Sequence, residues 1–260
     1  MNTQLSDVLG QANAHDGHLE TQIPSDWMQG RSVYGGLQTA LALRAMRSLV
    51  SSPVRCLQTT FIAPLEGLVR AECAILRAGK NTVQVEAKLF GTKGLTTQIL
   101  GVFGESRSSE VKVRLQPEEI ADDPVTVFPF LPGITPNFTQ HFAMRLRKGA
   151  LPFSGVETMN AVYELDLHDS GAVTEEHITV FADVVPPLGL SALTTPTPAC
   201  TLTWMLEFLG EPKEPMTLQR WHLHTKLIAA EGGYCNQSSV LRSPSGHAVA
   251  LSRQCMLIFG

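Results

Sequence analysis

Gly35 and Gly36 stand at the head of a run rich in Ala, Leu and Met that meets no Pro or Gly until Pro53. These residue types are strong helix formers, so residues 31–50 read as one helix of about fifteen residues starting at the glycine pair. The first N–H groups of a helix lack intrahelical partners and lie at the positive end of the helix dipole. Such an end can hold a carbonyl oxygen on which negative charge develops, which is the demand made by acyl transfer. A lone glycine pair also serves simply to permit a tight turn or close packing, and taken alone that plainer reading is the stronger one.

Other chemistries are excluded more readily. His222 and His224 alternate with Trp221 and Leu223, which places them on the outer face of a strand without a third ligand nearby, so no metal site is expected. There is no nucleophile elbow, P-loop or dinucleotide fingerprint, and no cofactor is called for. A net charge of −4 with scattered Lys and Arg disfavours nucleic acid as a partner. Cys56, Cys73, Cys200, Cys235 and Cys255 are odd in number and lack a C-x-x-C pair, which suggests reduced thiols in a cytoplasmic setting, serving as small core residues. The amino terminus has no basic and apolar leader, and no stretch is apolar for the 18 or so residues of a membrane span. Both readings describe a soluble, unprocessed chain.

The elements that position the glycines follow in order. Residues 1–14 read as a polar lead, Gly17–Ile23 as a short strand, and Trp27 in the next loop as either a lid over a pocket or an ordinary anchor, the latter preferred. After the helix, Val54–Ala63, Leu68–Arg77, a stretch alternating Val83, Val85, Ala87 and Leu89 with polar residues, and Leu95–Phe103 form strands joined by turn signals. The helix is apolar nearly all round, its polar face limited to Arg44, Arg47 and Ser48, so an antiparallel sheet must curl about it. From Glu105 to about Gln140 the pattern stops, with Pro124, Pro129, Pro132 and Pro136 marking a linker that packs partly on the surface.

The second half repeats the first. Leu202–Phe208 stands where Cys56–Phe61 stood, Gly232-Gly233-Tyr234 parallels Gly79-Lys80-Asn81, and Ser243–Gly246 parallels Gly91–Gly94. Both halves close on Q-x-x-x-x-F-G, beginning at Gln98 and Gln254. A second helix is expected over Glu176–Leu190, with Thr174 as N-cap, acidic residues in its first turn, and a break or kink at Pro186-Pro187. The halves are therefore not equivalent.

In these residues the chain resembles the acyl-CoA thioesterase II family, whose members carry two fused hotdog domains. The resemblance rests on Val33-Tyr34-Gly35-Gly36, on Thr60-Phe61 with Pro64, on Leu76–Gly79, on Asp183 with Pro186-Pro187, on Trp221, on Gly232-Gly233 and on Ser252-Arg253-Gln254. It implies an α+β double hotdog, two repeats each of a long helix wrapped by an antiparallel sheet: residues 1–104 as the first domain, 105–140 as linker and 141–260 as the second. It implies hydrolysis of acyl-CoA thioesters, with an Asp, a Ser or Thr, and a Gln of the second half positioning the attacking water, and a homo-oligomer of such chains. Gln254 matches the Gln. By register from Phe208 the Asp position falls at Thr203, and no carboxylate lies between Cys200 and Met205; Asp183, in the second helix, is the alternative supplier, since other hotdog enzymes place an acidic residue there. Thr225 is a candidate for the hydroxyl. Tyr34, Gly35 and Gly36, with Trp27, are the expected substrate-binding residues, the carbonyl lying at the start of the first helix. A non-catalytic acyl-CoA binder of the same fold is the alternative reading, motivated by the absent Asp, and a hydratase or dehydratase ranks last because the first helix has no Asp or His.

Overall fold

The computed structural model describes residues 2–118, 125–210 and 216–259. The elements are α1 (Leu5–Gln11), β1 (Ala14–His15), β2 (His18–Gln22), a small hairpin of β3 (Met28–Gln29) and β4 (Ser32–Val33), then α2 (Gly35–Arg47). Four long strands follow: β5 (Val54–Phe61), β6 (Leu68–Ala78), β7 (Thr82–Gly91) and β8 (Gly94–Gly104). After β9 (Thr126–Phe128) come β10 (Phe142–Lys148), β11 (Asn160–Leu167), α3 (Glu175–Ala182), β12 (Ala199–Phe208), β13 (Trp221–Glu231), β14 (Tyr234–Arg242) and β15 (Ala248–Ile258).

All strands but β3 and β4 join one antiparallel sheet in the order β1-β2-β6-β7-β8-β5-β12-β15-β14-β13-β11-β10-β9. The repeat is visible in that order, because β6-β7-β8-β5 on one side mirrors β12-β15-β14-β13 on the other. The halves meet at the seam between β5 and β12, from Thr60 opposite Thr203 to Cys56 opposite Glu207. The turns at Gly79–Asn81 and Gly232–Gly233, and those at Gly91–Gly94 and Ser243–Gly246, occupy corresponding places.

One pairing from the sequence does not survive. Gln98 faces outward and donates to Glu86 Oε1 at 2.6 Å, whereas Gln254 is buried on the inner face opposite Trp204 and Gln237. The side chains of a strand alternate between faces, so the two glutamines are out of register and their shared motif is not a structural equivalence.

Leu37, Ala40, Leu41, Ala42, Leu43, Ala45 and Met46 of α2 are fully buried, as an all-round apolar helix requires. Gly101 of β8 lets the helix approach closely: a Cβ there would lie 2.7 Å from Met46 Sδ. The second helix is shorter than expected. Its α-helical part ends at Ala182 and a separate 3-10 turn covers Leu188–Ala192, because Pro186 and Pro187 supply no N–H and force the residue before them out of helical geometry. Thr174 is its N-cap, and the Thr174 N–H donates to His177 Nδ1 at 3.1 Å. The two helices are 13 and 8 residues long, so long helices in both repeats are not what the chain forms.

They pack antiparallel. At one end Arg47 of α2 binds Glu175 at the start of α3, with Nε 2.9 Å from Oε2, and Glu175 also accepts the Val54 N–H at 3.2 Å. At the other end Tyr34, just before α2, donates its hydroxyl to the Val180 carbonyl at 2.6 Å. The start of α2 is thereby clamped to the end of α3.

The amino-terminal lead holds a helix, α1, which buries Leu5, Val8 and Leu9 and receives Arg44 Nε on Ala12 O at 2.8 Å. Near the end of the stretch 105–140, β9 pairs with β10, and a 3-10 turn at Asn137–His141 buries Phe138 and His141. Pro124, in that segment, and Gly260 lie outside the described residues. Of the cysteines only Cys235 is buried; Cys56, Cys73 and Cys255 are half-buried and Cys200 is exposed, which corrects their reading as core residues.

Trp27 is wholly buried, stacks on His141 at 4.1 Å between ring centroids, and donates Nε1 to Thr3 O at 2.9 Å. It is an anchor, so Trp27→Ala is expected to destabilise the fold by about 3–5 kcal/mol in urea denaturation. A variant with unchanged stability and lost activity would instead make Trp27 a lid.

Candidate active site

Asp183 caps the C-terminal end of α3, and the antiparallel clamp brings it to the first turn of α2. Its carboxylate accepts the main-chain N–H of Gly36 and the side-chain amide of Gln254, whose Nε2 lies 2.5 Å from Oδ1. The two glycines answer different needs. A Cβ on Gly35 would sit 2.8 Å from Asp183 Oδ2 and 3.0 Å from Phe61 Cζ, so only a hydrogen fits between carboxylate and ring. A Cβ on Gly36 would lie 2.7 Å from ring carbons of Tyr34. Neither glycine has positive φ, so close approach is the reason for both.

Burial pushes the Asp183 carboxyl up to about 7, against the Gly36 and Gln254 hydrogen bonds that favour its ionised form. The group therefore changes charge near neutrality. Tyr34 is wholly buried, and burial together with the nearby Asp183 charge raises its phenol well above the usual range. It stays neutral and serves as a donor to Val180 O.

Gln254 is held in turn. Its Oε1 accepts Gln237 Nε2 at 3.2 Å, and Gln237 Oε1 accepts the Leu188 N–H at 3.0 Å. One step along the inner face, Ser252 Oγ accepts Trp204 Nε1 at 2.8 Å and donates to Ala182 O at 3.4 Å, tying the last turn of α3 to the sheet.

The structure thus brings Asp183, Gln254, Gly35, Gly36 and Tyr34 together across the two halves. Asp183 stands at the start of α2, where the sequence places the substrate carbonyl, and the Gly36 N–H there holds its carboxyl lower than burial alone would. Thr203 is exposed on the face of β12 away from Trp204, and among the described residues no hydrogen bond links it to Asp183 or Gln254. It lines, with Gln254, Thr59, Thr60 and Arg253, a groove of about 430 Å³ over the central strands. Thr225 is buried and its hydroxyl lies 2.9 Å from that of Ser239, two strands from Gln254. Trp27 lies behind Tyr34, their ring centroids 6.5 Å apart. Gln237 was not singled out from the sequence; its signal is the alternation of Cys235, Gln237, Ser239 and Leu241 on the buried face of β14.

His222 and His224 do occupy the outer face, but His222 is fully buried there, 3.3 Å from Glu164, which Arg145 and Arg147 also bind. Burial pushes the His222 imidazole down to about 4. Among the described residues no group of three or more His, Cys, Asp or Glu could hold a metal ion, and no helix is long and apolar enough to cross a membrane.

Comparison with known proteins identifies the family and the fold. Residues 23–104 match the model of the acyl-CoA thioesterase N-terminal domain, and residues 117–258 that of the acyl-CoA thioesterase C-terminal domain. No curated protein matches the sequence. Among solved structures, a hotdog-fold protein of unknown function from Alicyclobacillus acidocaldarius is 18% identical with a TM-score of 0.85, covering 100% of this chain and 99% of its own. A putative thioesterase II from Thermobifida fusca is 14% identical with a TM-score of 0.81 and the same coverage, 100% and 99%. An acyl-CoA thioesterase II from Mycobacterium marinum is 14% identical with a TM-score of 0.72, over 97% of this chain and 96% of its own. At these identities the structures establish the hotdog fold.

Proposed function

We propose, from the premise that this chain belongs to the acyl-CoA thioesterase family, that it hydrolyses acyl-CoA thioesters to a carboxylic acid and CoA at the junction of α2 and α3. The observation that carries the reading is the contact of Asp183 with both Gly36 and Gln254. A CoA thiol, with a reference pKa near 8.5, leaves without a strong acid, so the reaction needs an oriented water and a polarised carbonyl. Asp183 supplies the base and Gln254 orients the water beside it. The water gives a proton to Asp183 as its oxygen bonds to the carbonyl carbon. Charge passes to the carbonyl oxygen, where the positive end of α2 favours it. The C–S bond then breaks, and the thiolate takes the proton from Asp183.

We read the architecture as two fused hotdog units, residues 1–104 and 141–260 joined through 105–140, with one composite site per chain. Thr203 and Thr225 lie outside this mechanism as we draw it, and Tyr34 acts on the backbone of α3. A cytoplasmic homo-oligomer is the accompanying reading; sedimentation of the purified chain as a monomer would remove the second part of it.

Thiol release from acyl-CoA substrates of graded chain length tests the reaction. Hydrolysis is expected for at least one length class, with kcat/KM rising with pH through about 7, since only ionised Asp183 accepts the proton. Tight binding of acyl-CoA without any thiol release would leave the protein a binder, the alternative motivated by the absence of a carboxylate near Thr203.

A further inference from the structure

We propose that Gln237 is a positioning residue: it sets the direction of the Gln254 side-chain amide, so that the NH2 group and not the oxygen faces Asp183. The proposal deepens the hydrolytic reading above and rests on it only for its effect on rate.

A side-chain amide presents a donor at one end and an acceptor at the other, with nearly the same shape either way. Its direction is decided by neighbours whose role cannot change. The Leu188 N–H is such a neighbour. It is the first amide hydrogen after Pro186 and Pro187, it opens the 3-10 turn, and a main-chain N–H can only donate. Its acceptor is Gln237 Oε1, at 3.0 Å. With its oxygen so engaged, Gln237 turns Nε2 toward Gln254 and meets Oε1 at 3.2 Å. Gln254 must then turn Nε2 outward, to Asp183 Oδ1 at 2.5 Å. Both glutamines are nearly inaccessible, at 2% and 5% exposure, so bulk water does not compete for either end.

The direction matters because an ionised carboxylate only accepts. If the Gln254 amide reversed, its oxygen would face a carboxylate oxygen, an arrangement tolerable only with Asp183 protonated. The fixed chain from Leu188 through Gln237 and Gln254 therefore opposes the effect of burial on Asp183 and keeps more of it as a base. The other groups at Asp183 do not set this direction: the Gly36 N–H donates regardless, and the Tyr34 hydroxyl is committed to Val180 O.

The test reads Asp183 directly. In protein labelled with ¹³C at Asp carboxyl carbons, with the Asp183 signal identified by its loss in Asp183→Asn, the ionisation midpoint is followed in the parent, Gln237→Glu and Gln237→Met. Glu at this position still accepts the Leu188 N–H but offers Gln254 no donor when ionised; Met offers neither. Both variants are expected to raise the Asp183 midpoint by about one pH unit, with about a fivefold fall in kcat/KM at pH 7 that is recovered at higher pH. A folded variant with an unmoved midpoint overturns the proposal. Should neither variant fold, the parent decides: the Gln254 side-chain NH2 resonances should shift with the Asp183 midpoint, and their indifference to it overturns the proposal equally. These measurements do not need turnover, so a parent without thioesterase activity would refute the hydrolytic reading and leave the positioning role to its own result.

Discussion

Asp183→Asn is expected to lower thioester hydrolysis by about 10²–10⁴ in kcat/KM, the span usually covered by a positioned general base. Asn keeps the size of the side chain and can accept one of the two hydrogen bonds from Gly36 and Gln254, but it cannot take a proton from water. The same change should stabilise the fold at alkaline pH. In the folded protein the Asp183 carboxyl ionises only near 7, well above its ordinary value of 3.8. Between those values the folded state binds more protons than the unfolded one, so this group's contribution is fully present below the unfolded value and is lost as pH rises through the folded one. A neutral amide has no such loss. Above pH 7 Asp183→Asn should therefore be more stable than the parent by on the order of 1–3 kcal/mol, and near pH 4 the advantage should vanish. Urea titrations at the two pH values read this, and a variant less stable than the parent at pH 8 would mean that Asp183 is chiefly a structural cap.

Gly35→Ala is expected to cost at least about 10² in kcat/KM while leaving the fold intact. The added methyl carbon would stand 2.8 Å from Asp183 Oδ2 and 3.0 Å from Phe61 Cζ, so either the carboxylate or the ring must move. Alanine suits a helix better than glycine does, and the backbone at Gly35 is not left-handed, so the loss would come from displacement of Asp183 or of the Phe61 ring beside it and not from the backbone. Gly10→Ala is the control, since nothing lies within 4 Å of a Cβ at that position. Full activity in Gly35→Ala would show that the position of Asp183 next to α2 is not used.

The strands of both halves, their turns and the first helix were legible because each rests on a local pattern: period-two alternation, glycine turns, and an apolar run free of breakers. The short helix α1 was also written there, in Leu5, Val8 and Leu9 at helical spacing, and a polar composition hid it. Faces were harder. The likeness of Gln98 and Gln254 is a matter of letters, while their opposite orientations follow from pairing with Glu86 on one side and with Trp204 and Gln237 on the other. Strand register leads to Thr203 or a neighbour, where the sequence has no carboxylate, and leaves Asp183 as the alternative supplier. The acid beside Gln254 comes from a helix end 71 residues earlier in the chain, and no strand register counts across that distance. Helix α3 was placed by its cap and acidic first turn, but its end depended on where two prolines would let the chain turn. Gln237 faces inward through the alternation of β14, but its contact with Leu188 depends on that same turn.

The seam between β5 and β12 makes one sheet of two like halves, yet their inner faces have diverged. On β7 and β8 that face holds Val85, Ala87, Leu89, Ile99 and Phe103 with Thr97, while on β14 and β15 Gln237, Ser239, Ser252 and Gln254 stand among Cys235, Leu241, Ala250 and Met256. One half contributes the head of a helix; the other contributes Asp183 and the amides of Gln254 and Gln237. With the composite site proposed above, a gene for either half alone would encode part of it, and two copies of one half would encode two incomplete ones. Fusion therefore has an inherited consequence: substitutions that a symmetric pair would suffer twice fall here on one side only, leaving each half free to change at the positions whose counterparts in the other half face the proposed site.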